Sequence, residues 1–77
     1  MHEVFLTQTP AKRREHIVRV VYKHNRTLTH HEHEAIVARV AGGGQEVIAR
    51  YEEKHTADNV VAELAYHGAA AEVRTAS

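Results

Sequence analysis

Gln45-Glu46-Val47-Ile48-Ala49-Arg50-Tyr51-Glu52-Glu53-Lys54 is the stretch whose reading decides the fold of this chain. Val47, Ile48 and Tyr51 fall at i, i+1 and i+4, the spacing of one helical stripe. The stretch therefore predicts a short helix over about 45–54, and with it an all-α domain. Gly42-Gly43-Gly44 precedes it as a helix stop, because glycine takes a left-handed cap conformation without steric cost. His55-Thr56 follows as a turn, with Thr56 as the N-cap of a final helix.

Working outward, Ala57, Val60, Val61, Leu64 and Ala65 give the cleanest amphipathic pattern in the chain, and Gly68 closes it. Upstream, Leu28-Thr29-His30-His31-Glu32 carries a capping box, with Ile36, Val37 and Val40 as the apolar stripe of the helix it opens. Thr9-Pro10 reads as the start of a first helix running to about residue 23 or 24, although Ile17, Val18, Val20 and Val21 also suit a strand. The expectation is one domain of three or four helices over 1–77: an extended arm at 1–8, a helical core at 9–68, and a tail or helix extension at 69–77.

The chain has 77 residues, zero formal net charge and no cysteine. A chain this short buries only about 60% of its unfolded surface, so helix packing or self-association must supply the stability. Disulfides and thiolate metal sites are excluded. The N-terminus has neither the basic region nor the apolar run of a secretory signal, and no segment reaches membrane-span length, so a cytoplasmic setting is expected. Arginine outnumbers lysine seven to three, which fits a GC-rich coding genome such as that of an actinobacterium or one of its phages. The charge is unevenly spread. Lys12, Arg13, Arg14, Arg19, Lys23 and Arg26 outweigh Glu3 and Glu15 in residues 1–27, giving +4, and the remainder carries −4.

The stretch 28–64 resembles the trihelical helix-turn-helix core of sigma-factor, quorum-sensing and transposase-type DNA-binding domains. The shared features are the capped helix at Leu28-Thr29, Ile36 inward, Gly42, the Ile48-Ala49 pair, and a Thr-capped last helix with Val60 and Leu64 inward. The resemblance implies a non-catalytic regulator that binds DNA as a dimer, with residues 57–67 as recognition helix. That helix carries no arginine or lysine, and only Asn59 is suited to a base edge. Phosphate contacts would fall to Lys12, Arg13, Arg14, Arg19 and Arg26, helped by Arg50 and Lys54. The alternative is a protein-interaction module, pairing with itself or a host protein through a face around Tyr51, Ala62 and Tyr66.

His30, His33 and Glu34 share a helical face and form the nearest approach to a metal-ligand set, without a recognisable second pair. No cofactor and no small-molecule substrate are expected. No nucleophile, phosphate loop or paired-carboxylate motif points to an enzyme. Eight histidines predict looser packing or altered assembly below about pH 6.

Overall fold

The computed structural model describes residues 1–75. It overturns the all-α expectation: three helices pack on a three-stranded antiparallel sheet, an α+β domain. The elements run β1 (His2–Gln8), α1 (Arg14–His24), α2 (His30–Ala41), β2 (Glu46–Tyr51), α3 (Lys54–Tyr66) and β3 (Ala70–Thr75). The strand order is β2-β1-β3, so β1 is central and antiparallel to both neighbours.

The arm at residues 2–8 is therefore the backbone of the fold. Side chains alternate along a strand. Val4 and Leu6 point into the core, whereas Glu3, Phe5 and Thr7 take the opposite face. The helices gather on the Val4–Leu6 side: α2 and α3 lie against the sheet, and α1 packs on both of them. Ile17, Val21, Val37, Ile48, Val60 and Leu64 complete a single core.

The decisive stretch is strand β2, not a helix. A β-bulge explains why it reads as one. The register with β1 shifts between Val4↔Ala49 and Phe5↔Val47, leaving Ile48 as the extra residue. Ile48 and Ala49 are consecutive and both buried, which breaks the alternation a strand should show. Residues 70–75, read as tail or helix extension, form β3 along the other side of β1. Residues 76–77 of that tail lie outside the described residues.

Two helix starts also move. Thr9 does not cap α1; its hydroxyl is buried without a partner, and the helix begins at Arg14 after Arg13 in the left-handed conformation. Glu53, not Thr56, occupies the N-cap of α3. The capping box of α2 forms as read, with Glu32 N–H donating to Thr29 Oγ1 and Thr29 N–H to Glu32 Oε1. Left-handed glycines sit at the two sharp exits into strands, Gly43 (φ 106°) after α2 and Gly68 (φ 90°) after α3. No helix among the described residues is long and apolar enough to cross a membrane.

Candidate functional site

The cations of this chain divide into two groups. Five have a carboxylate partner: Lys23 with Glu63, Arg39 with Glu46, Arg50 with Glu3, Lys54 with Asp58, and Arg74 with Glu72. The other five are Lys12, Arg13, Arg14, Arg19 and Arg26; they are exposed, and among the described residues none has an ion-pair partner. All five lie on α1 or the loops that flank it. At 1.5 Å per residue, α1 is about 16 Å long.

The periodicity of α1 decides how they are displayed. Ile17, Val18, Val20 and Val21 turn into the core. Arg19 and Tyr22 therefore project outward, three residues apart on one stripe. Arg26, just past the helix end, folds back so that its guanidinium stands 5.3 Å from the Tyr22 ring centroid, a cation–π arrangement. Lys12 and Arg13 flank the opposite end. Arg13 has φ 64° and ψ 33°, a left-handed backbone that costs a residue with a Cβ about 1–2 kcal/mol. Arg13 makes no side-chain hydrogen bond to the first turn.

Beside this row, a groove of ≈ 310 Å³ separates α1 from α2. Val18 and Val37 make its floor, Ala38 one flank, and Arg14, Glu15, His30 and Glu34 its rim. His30 Nδ1 lies 3.0 Å from Glu34 Oε1, one turn along α2. Among the described residues, Arg14 and Glu15 are the rim charges without an ion-pair partner. The neighbouring Glu32 carboxyl is held below the usual range, first by the Thr29 backbone N–H and then by its hydroxyl.

The remaining candidates disperse. Arg50 stands on the uncovered sheet face, bonded to Glu3 at 2.7 Å. On the same face Arg74 covers the Phe5 ring at 4.0 Å and donates to Gln45 Oε1 at 2.7 Å. Lys54 is turned to Asp58 within α3, and Asn59 is exposed on that helix. Tyr51 is half-buried against the core with its hydroxyl 3.4 Å from the His24 carbonyl, and burial raises its pKa. Ala62 and Tyr66 share an outer stripe of α3, and Tyr66 is 87% exposed.

Of the metal-ligand candidates, His30 and Glu34 stay at the surface, but His33 is fully buried and bonded to the Asn25 carbonyl oxygen. No group of three or more metal-ligating side chains comes together among the described residues. Val18, Val37 and Ala38 were absent from the sequence-derived site because valines on helical stripes read as core; only the packing of α1 on α2 shows that they floor a groove. Comparison with known proteins finds no protein-family model and no curated protein that matches this chain.

Proposed function

We propose that this domain is a non-catalytic protein-interaction module that docks an acidic segment of a partner protein on α1 and the α1–α2 groove. One observation carries the reading. Lys12, Arg13, Arg14, Arg19 and Arg26 have no ion-pair partner among the described residues, while every other lysine and arginine has a carboxylate partner. Such a face attracts anionic partners and steers their approach. The groove beside it accepts one apolar anchor on Val18, Val37 and Ala38, the kind of buried contact that dominates protein interfaces.

Charge and geometry favour a protein over a nucleic acid. Arg19 and Tyr22 share their face with Glu15, and Glu34 stands on the groove rim. The net charge is zero, whereas nucleic-acid-binding domains present a basic excess. Tyr22 is covered by Arg26, so it offers no open ring for stacking a base.

The test is fluorescence anisotropy with three probes at about 50 mM salt: an acidic peptide bearing one leucine, its serine-for-leucine version, and a duplex oligonucleotide. The leucine peptide should bind, weaken with salt, and lose affinity about tenfold or more when Arg14 and Arg19 are changed to Glu. Preferential binding of the duplex would replace this reading with the nucleic-acid one. Equal affinity for both peptides would remove the groove from it.

A further inference from the structure

We propose that a second copy of this chain docks on the outer edge of β3, pairing β3 with β3 across a two-fold axis. The sheet ends in two edge strands, β2 and β3. An open edge pairs with another chain unless something blunts it. The β2 edge is blunted. Asn25 Nδ2 donates to the Ile48 carbonyl oxygen at 2.9 Å, and a bulge breaks the register at the same residue. The β3 edge has neither device. Residues 71–75 run in unbroken register with β1, from Leu6↔Ala71 to His2↔Thr75. Among the described residues, no side chain bonds to their main chain.

The side chains of β3 select one register. Cross-strand partners share a face. The pairs Leu6↔Ala71 and Val4↔Val73 therefore put Ala71 and Val73 on the helix-covered face, and Phe5↔Glu72 and Glu3↔Arg74 put the two charges on the uncovered one. Two-fold pairing is antiparallel and self-complementary. With the axis at Val73, that valine meets its own copy, and Glu72 meets the second copy's Arg74 twice by symmetry. Each Glu72 already holds its own Arg74, so four charges alternate in sign around the axis. Shifting the axis by one residue sets Glu72 against Glu72 or Arg74 against Arg74, and like charges directly opposite are destabilising. Arg74 is also fixed in advance, over the Phe5 ring and on Gln45 Oε1, which lowers the cost of ordering it on binding.

The other face of the edge is apolar. Ala71, Val73 and Val61 of α3 are only partly buried against the core. Val61 stands on the flank of α3 away from Glu63, whose partners Lys23 and His24 belong to α1. The axis stands perpendicular to the sheet, so both copies keep their helices on one side. Val73 is covered there by its own copy, and the sheet grows to six strands. A chain this short gains from such an enlarged core. β3 makes no contact with α1, so pairing leaves the cationic α1 face open in both copies and is independent of the acidic-segment reading.

The experiment is sedimentation equilibrium of the intact chain over a concentration series, with Glu72→Arg, Arg74→Glu and the double exchange, each checked for folding by circular dichroism. Wild type should rise from 8.7 kDa toward twice that mass. Each single exchange opposes like charges and should raise the dimer dissociation constant about tenfold or more. The double exchange restores opposite pairs and should recover dimerisation. An equimolar mixture of the two single variants should recover it too, because every opposed pair is again glutamate with arginine. A wild type that stays at 8.7 kDa throughout would overturn the proposal. So would a dimer that the single exchanges leave equally strong, or one that neither the double exchange nor the mixture recovers. If Arg74→Glu does not fold, the wild-type series and Glu72→Arg decide.

Discussion

Glu63 on α3 receives two donors from the end of α1: Lys23 Nζ at 2.7 Å and His24 Nε2 at 2.8 Å. These bonds, Lys23 first, hold its carboxyl below the ordinary value of 4.5. A folded-state pKa that is depressed means stabilisation present above the unfolded value and lost as pH falls through the folded one. Glu63→Gln should therefore lower stability at neutral pH by about 0.2–1 kcal/mol, the range for a partly exposed pair. The difference should shrink below about pH 4.5, and urea unfolding at several pH values checks it. At this scale the sequence was legible for the core. Ile36, Val37, Val40, Val60 and Leu64 were expected inside and are buried. His33 was read as a surface ligand candidate with His30 and Glu34, although its spacing to Ile36, Val37 and Val40 continues the inward stripe on which the structure buries it.

Two elements carry the next predictions. Thr29→Ala removes the hydroxyl that accepts the Glu32 N–H, leaving the backbone N–H arm of the α2 capping box in place, and should cost about 1 kcal/mol by urea unfolding. Arg13→Gly relaxes the left-handed backbone before α1. It should be neutral or stabilising by up to about 1 kcal/mol, since relief of strain outweighs the added chain entropy, while it weakens binding of an acidic partner. A position that trades stability for a displayed cation is what a binding face requires. The α2 helix was readable because cap and stripe agree, and α3 from its apolar stripe, although its cap is Glu53 rather than Thr56. β2 was not, because its bulge sends Ile48 and Ala49 to the same side. β3 was hidden by alanines, poor strand formers that pair only because β1 supplies a template.

The whole molecule has two contrasting surfaces. The uncovered sheet face satisfies itself: Arg50 meets Glu3, and Arg74 lies over Phe5. The α1 face leaves its charges open. Reversal of charge should tell the two apart. Arg14→Glu with Arg19→Glu should leave the melting temperature within about 4 °C of wild type and abolish acidic-peptide binding. Arg50→Glu should leave that binding unchanged. Function was the least legible layer: the helix-turn-helix resemblance put a recognition helix at residues 57–67 and phosphate contacts on Lys12, Arg13, Arg14, Arg19 and Arg26, and neither charge nor spacing in the sequence says which class of anionic partner those cations meet. The most direct measurement is a map of amide shift changes on the intact chain titrated with the acidic leucine peptide. The predicted map centres on Arg14, Val18, Arg19, Val37 and Ala38. A map centred on Phe5, Val47 and Arg74, or one with no change along α1 and α2, would contradict it.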